Sequence, residues 1–526
     1  MRGKRREILK AGLGAGALFL PAPYAWVWAQ QSDGALKLLR APKVALVIGN
    51  GKYKDAPELK NAPNDAKAVA AALKASGFEV TMKLDTGRAE LIDAIRAYVH
   101  LMEQKKHVGL FYFAGHGVQL EWRNYLLPID AVIDKIEDVA KQRVDIARLM
   151  EGLTKAANPM NVIILDACRE NPFGTAKPVA QKGLSQMDAP THTILAYATS
   201  PGNVASDGDG VNGLYTENLL REIKVPEAKI EDVFKRVRLG VRRKSNGAQI
   251  PWESTSLEED FWFIPPKELK KLSDAEREKA FKEELALWEK VQKSTDPGAY
   301  EDYLRRYPSG DYVELAQVQL DRLLARQGEK RVEIINTSAN PYTKGSARTD
   351  TRYQVGDTYS FRVLDIYTKV VEGTPSGTIK EISDTEVIWT NGLVMDLLGN
   401  TVRTPNGARF SPSQLAPAEF SVGRHWSTRF VFTNPAGIPF RNQMDLRIVG
   451  RESVTVPAGT FSAFRVEGTG ISVGDPGTSS LKRTWWYAPE QVRVPVAQEN
   501  IRRARGKGFD AVQESQRREL VSFKQS

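Results

Sequence analysis

The chain has 526 residues, 41% of them apolar and 26% charged, with a formal net charge of +10. That length suggests about three domains, and a single cysteine excludes an internal disulfide framework. The positive balance would suit an acidic surface or a polyanion. The Lys and Arg residues are spread widely, however, and no groove-reading motif accompanies them, so nucleic acid is set aside as a partner.

Residues 1–29 read as a leader rather than as part of a fold. Lys4-Arg5-Arg6-Glu-Ile-Leu9-Lys10 resembles the twin-arginine export consensus, and a Gly/Ala-rich apolar stretch, Ala11 to Leu20, follows it. Cleavage is expected after Ala29. The competing reading, an uncleaved anchor, wants roughly eighteen unbroken apolar residues, and this stretch is interrupted by Gly and Pro. No other segment is long and apolar enough to span a membrane, so no integral span is expected once the leader is removed. The expected location is the periplasm or beyond, an oxidising space where a lone free thiol is a liability unless it is needed.

From residue 41 to 264 strands alternate with helices. Val44–Ile48, Glu79–Lys83, Leu110–Ala114, Val162–Ala167 and Thr193–Ala198 read as strands, and Phe261-Trp-Phe263 as a last one. Ala66–Ser76, Ala89–Glu103, Ile146–Ala157, Leu214–Ile223 and Ile230–Arg243 read as helices, with Gly77 as a C-terminal stop. Apolar runs without alternation are strands buried on both faces, so the expected fold class is α/β, an α/β/α sandwich around a parallel sheet. Arg236, Arg238, Arg242, Arg243 and Lys244 fall on a helix whose charged side reads as a solvated face.

Two motifs end such runs: Val108-Gly-Leu-Phe-Tyr-Phe-Ala-Gly-His116-Gly117 and Val162-Ile-Ile-Leu-Asp-Ala-Cys168-Arg169. Ligands bind beyond the carboxyl ends of strands in sheets of this kind, so an imidazole and a thiol reach one reactive edge. A lone Cys is often a buried apolar residue and a His beside glycines often a turn residue. Here the only Cys and one of five His residues fall at strand ends, about 50 residues apart, the spacing of a caspase His and Cys. An imidazole can take the thiol proton and return it to a leaving amine. The Gly117 and Cys168 N–H groups are the candidate oxyanion donors.

The stretch Ala41 to Phe263 resembles the caspase and metacaspase superfamily, and the caspase-hemoglobinase-like fold is what that resemblance implies. Lys43-Val-Ala-Leu-Val-Ile-Gly-Asn50 is similar to the opening strand, Leu59-Lys-Asn-Ala-Pro-Asn64-Asp65 to the Asn-Asp motif, and Tyr197-Ala-Thr-Ser-Pro-Gly202 and Asp207 to Thr216 to later segments. The resemblance implies a cysteine endopeptidase with His116 as base and acid and Cys168 as nucleophile. It also implies Asp65 and Asp166 as pocket carboxylates. Two carboxylates would favour a guanidinium or ammonium group, hence substrates with Arg or Lys at the cleavage site. The plainer readings are a helix N-terminus for Asp65 and a loop-capping carboxylate for Asp166. Ala114 departs from the Ser of many metacaspases, and Glu170 from the Gly of eukaryotic caspases. No cofactor or metal is expected. Calcium activation is known among metacaspases, but Asp207 and Asp209 lack the later bidentate Glu of a helix–loop–helix site. The alternatives are a caspase-fold interaction or signalling protein with a latent dyad, and a basic binding module for the envelope.

Residues 273–327 read as a helical tetratricopeptide-like hairpin. Asp296-Pro297 is its N-cap and first position, and Asp311 with Glu314 resembles a capping box. One hairpin cannot bury its own apolar face, so it must dock on another domain or on a protein partner. Residues 353–526 read as a β-rich domain of short alternating strands. Its adjacent Trp485 and Trp486 point to opposite faces, one to the core and the other to a candidate binding surface. His425 reads as structural.

Overall fold

The computed structural model describes residues 34–525, except 105, 133–137, 139–140, 169–182, 202, 204, 206–209, 268–272, 330–339, 341, 476 and 507–508. The leader, Arg169, Glu170, Asp207 and Asp209 therefore lie outside the described residues.

The first unit is built on β1 (Lys43–Gly49), α1 (Ala62–Ala75), β2 (Glu79–Leu84), α2 (Arg88–Gln104) and β3 (Val108–Leu120). It continues through β4 (Arg123–Leu126), β5 (Val144–Asp145), α3 (Ile146–Ala156) and β6 (Met160–Cys168). The unit ends with β7 (Thr193–Tyr197), α4 (Leu214–Ile223), α5 (Ile230–Lys244) and β8 (Trp252–Thr255). The sheet order is β2-β1-β3-β6-β7-β8, parallel as far as β7 and antiparallel at β8. β3 lies between β1 and β6, which is why Phe111, Tyr112 and Phe113 are all buried. The chain leaves β1 towards β2 on one side and returns on the other as β3, so the carboxyl ends of β1, β3 and β6 meet at a topological switch point. Gly77 ends α1 with φ +83°, the left-handed conformation a helix stop requires.

Two expected strand boundaries are corrected. β3 does not end at Ala114. It runs to Leu120 and turns back onto β4 through Glu121 and Trp122, whose φ values are 51° and 65°. This two-residue hairpin is made without the Asn-Gly or Asp-Gly pair that usually announces one. Phe261–Phe263 makes only an isolated bridge, Lys229 to Trp262. Phe261 and Phe263 pack edge-to-face at 5.9 Å and both meet Phe78. The last strand is instead β8.

Three helices follow: α6 (Asp274–Val291), α7 (Pro297–Arg306) and α8 (Val313–Arg326). The capping box sits at the start of α6, between Ser273 and Glu276, and Asp296 caps α7 by accepting from Gly298 N–H. Asp311 and Glu314 form no such box, and α8 has no side-chain cap. Both carboxylates turn to the C-terminal domain: Asp311 meets Arg429 at 3.2 Å and Glu314 pairs with Arg424. The basic side of α5 is also not simply solvated, because Arg238 pairs with Glu253 at 2.6 Å and Arg242 with Asp321 and Glu329. Phe281, Trp288, Tyr300, Tyr303, Tyr312 and Leu315 form the helices' own core, joined by Leu398 of the C-terminal domain. The helical segment thus docks within the chain, on both neighbours.

Within that core Glu284 accepts a hydrogen bond from the Tyr303 hydroxyl at 2.6 Å. Burial, with the Asp311 charge adding to it, pushes Glu284 up to about 7. A carboxyl raised in the folded state contributes stability that is full below its unfolded pKa, near 4.5, and is lost as pH rises through 7. Relative to Glu284→Gln, the wild type should therefore lose up to about 3 kcal/mol between pH 5 and pH 8. Parallel thermal-unfolding profiles of the two proteins across that range would refute the assignment.

The C-terminal unit is a 13-stranded antiparallel sheet in which the strand Thr358–Asp365 pairs with the last strand, Phe509–Lys524. That pairing closes all but one strand, Val371–Gly373, into a barrel. Trp485 and Trp486 do alternate, but neither is a surface residue. Trp485 belongs to a core with Met444, Leu446 and Val466, Trp486 to another with Ala463, Val496 and Ala497. The sheet has apolar packing on both faces, so alternation does not mark an exposed side here.

Candidate active site

The register between β3 and β6 slips where the chemistry is expected. Ala114 pairs with Asp166 and Gly117 with Cys168, so Gly115 and His116 together oppose Ala167 alone. This is a bulge, a device that re-aims a side chain at the end of a ladder. It sets His116 next to the register partner of Cys168, across one interstrand spacing of roughly 4.8 Å. Glycine is required on both sides of His116. A Cβ on Gly117 would come within 2.7 Å of the Ala167 carbonyl oxygen, and one on Gly115 within 2.6 Å of the Tyr53 hydroxyl.

The imidazole is buried. Its Nε2 lies 2.8 Å from the Pro57 carbonyl oxygen. A carbonyl only accepts, so Nε2 carries the proton and the lone pair of the neutral ring is on Nδ1. The His116 backbone N–H donates to the Tyr53 hydroxyl at 2.8 Å, and the Tyr53 ring lies against the imidazole at 4.6 Å between centroids. Tyr53 and Pro57 come from the loop after β1. That loop is held by Asp85, whose Oδ1 accepts from the Gly51 and Lys52 N–H groups. Sequence reasoning missed both residues; the only signal was their position just after the Gly49-Asn50 turn. Tyr53→Phe keeps the ring but removes the acceptor, at a cost of about 1–3 kcal/mol. Slower turnover with little change in KM is expected, and turnover equal to wild type would show that the hydroxyl does not position His116.

Asp65 and Asp166 are both buried and converge on the start of α4. Asp65 Oδ1 accepts from Gly213 N–H and from Asn212 Nδ2, each at 2.9 Å. Asp166 Oδ2 accepts from the Thr216 hydroxyl at 2.9 Å. Since that hydroxyl gives its one proton to the carboxylate, the Tyr112 hydroxyl, 2.7 Å away, donates to Thr216. Burial pushes the Tyr112 phenol up, and the charges of Asp166 and Asp65 act in the same direction. Asp65 does not cap its own helix; the N-cap of α1 is Asn61, which makes no side-chain cap bond. Thr216, Asn212 and Gly213 were not singled out in the sequence, although they lie in the last matched segment.

Residues 183–188 are strapped to the stretch just before the barrel, where Ser346–Arg348 forms a two-stranded sheet with Glu419–Ser421. Asn124 and Ser185 exchange bonds of 2.7 and 2.8 Å. Asp188 accepts from Gly345 N–H and the Ser346 hydroxyl, both at 2.7 Å. Leu184 lies against Gly117, close enough for an added Cβ to meet it at 3.1 Å. The rim of the His116 site and the C-terminal domain are therefore mechanically connected.

This sheet, with His116 on β3 and Cys168 at the end of the neighbouring β6, defines a caspase-like α/β unit. Residues 42–262 match the family model of the caspase domain. Among curated relatives, human mucosa-associated lymphoid tissue lymphoma translocation protein 1 is 28% identical over 165 residues, 31% of this chain. Its mouse homolog matches to the same extent. The match spans 19% of the length of each relative. Among solved structures, the Drosophila initiator caspase Dronc matches 42% of this chain and 83% of its own, at 14% identity and a TM-score of 0.32. Among the described residues no helix is long and apolar enough to cross a membrane, and no group of His, Cys, Asp and Glu is arranged to hold a metal ion.

Proposed function

We propose that the protein is a cysteine endopeptidase of caspase type that cleaves after Arg or Lys. The observation that carries this reading is the fixed tautomer of His116. With the Nε2 proton given to the Pro57 carbonyl, the ring has an Nδ1 lone pair to take the Cys168 proton. The same nitrogen can then return the proton to the leaving amine. Thiolate attack on the peptide carbonyl would give a thioester, and water would release the acid. The Gly117 and Cys168 N–H groups are the proposed oxyanion donors. Asp65 and Asp166, each oriented by residues at the start of α4, would give the pocket its preference for a cation. Export through a leader at residues 1–29 belongs to the same proposal, and a reporter fused to residues 1–31 tests it.

The dyad is tested by alkylation. In the folded protein near neutral pH, iodoacetamide should label Cys168 quickly, and His116→Ala should slow the reaction markedly. Labelling only after denaturation would mean that Cys168 is a core residue and the enzymatic reading wrong.

A further inference from the structure

The barrel of the C-terminal domain encloses a cavity of about 510 Å³. Its lining takes residues from every strand of the closed ring, from Phe361 and Val363 on the first to Glu514 and Arg518 on the last. Only the lumen of a closed sheet can be lined in that way. Much of the wall is aromatic, with Phe361, Trp389, Phe430, Phe432, Trp485 and Tyr487.

One side is different. Three neighbouring strands there, Gly477–Tyr487, Ala497–Gly506 and Phe509–Lys524, set their lumen residues in registered rows. Trp485, Gln498 and Arg518 form one row; Arg483, Asn500 and Gln516 the next; Leu481, Arg502 and Glu514 a third. Glu514 stands opposite Arg502, which leaves Arg483 and Arg518 without a carboxylate in register. Neither makes an ion pair among the described residues. Arg518 lies over the Phe361 ring, 4.4 Å from its centroid. Burial lowers both guanidinium pKa values; at Arg483 the Glu514 charge, one row away, opposes this and the Arg502 charge adds to it.

Elsewhere this chain matches its sequestered arginines with carboxylates. Arg493 bonds Asp350 and Asp357, Arg238 pairs with Glu253, and Arg242 meets Asp321 and Glu329. The larger cavity, about 620 Å³ at the junction of the three units, obeys the same rule, with Arg348 facing Glu419 and Arg424 facing Glu314. Cations withdrawn from bulk water are costly unless paired, so two half-buried guanidinium groups without an ion-pair partner in an aromatic lumen mark the place of an external anion. We propose that the barrel lumen is a binding site for an amphipathic anion, with its acidic head between Arg483 and Arg518 and its apolar body against the aromatic wall. The volume is within the range of pockets that enclose small organic ligands.

The test uses the full chain and two probes, dodecanoate followed by calorimetry and 1-anilinonaphthalene-8-sulfonate followed by fluorescence. Saturable one-to-one binding is expected for each, with dodecanoate displacing the dye and dodecanol, which lacks the charge, binding at least about tenfold more weakly. Arg483→Gln and Arg518→Gln should each weaken dodecanoate binding about tenfold or more. Because each removes a half-buried cation without an ion-pair partner, the thermal midpoint should stay the same or rise, which separates loss of the site from loss of the fold. Absence of saturable binding for both probes would overturn the proposal. So would equal affinity for dodecanoate and dodecanol, or undiminished binding in folded Arg variants. Peptide hydrolysis does not enter these readouts, so the proposal stands or falls independently of the protease reading.

Discussion

Cys168→Ala should reduce peptide hydrolysis by about 10⁴-fold or more, with His116→Ala close behind and the double variant no worse than either alone. The reason is that nucleophile and base act as a unit: once one is gone, the other has nothing to work on. The two substitutions should differ in how they affect the thiol. Without His116 the thiol has no base to take its proton, so residual activity and alkylation should both rise steeply with pH. Neither substitution should unfold the sheet, because β3 and β6 are held by the apolar run from Val108 to Ala114 and by Val162 to Leu165, all buried except for glycine's lack of a side chain at 109. An unfolded Cys168→Ala protein would mean that the thiol is a packing element instead.

The second large effect concerns specificity. Asp166→Asn keeps the shape of the side chain and an oxygen that can still accept from the Thr216 hydroxyl, but removes the charge. The loss of one charge-assisted contact to a substrate cation should cost about 1.5–3 kcal/mol, or tenfold or more in kcat/KM for Arg substrates. Asp65→Asn should act in the same direction, and the double variant should fall short of additivity because both groups address one cation. Unchanged discrimination between Arg and uncharged substrates would reduce both carboxylates to supports of α4, the role that their bonds to Thr216, Asn212 and Gly213 already give them.

What was legible in the sequence follows from the range of the interactions involved. The strands through Val44, Val162 and Ile194 are unbroken apolar runs, and a strand buried on both faces leaves that mark in one dimension. Helix α4 was readable to its ends because a glycine precedes it and apolar residues recur along one face. The hairpin after His116 was hidden because Glu121 and Trp122 take positive φ without being glycine or asparagine. Tyr53 and Pro57 were hidden because their role lies in a hydroxyl and a carbonyl that reach His116 across about sixty residues of chain. Composition gives no sign of such a contact. Asp311, Glu314, Arg238 and Arg242 read locally as cap and solvated face; the partners of Asp311, Glu314 and Arg242 belong to other units of the chain, and that of Arg238 lies on β8 of its own unit. The buried Trp486 makes the same point. Alternation tells that two faces exist, not that one of them is wet.

The most direct measurement is cleavage of a positional peptide library by the purified protein, with and without calcium, beside Cys168→Ala. The account predicts cuts after Arg and Lys, none after Asp, and none at all by the variant. Cleavage that survives Cys168→Ala, or a wild type that cuts nothing under either condition while its thiol stays inert, would contradict it.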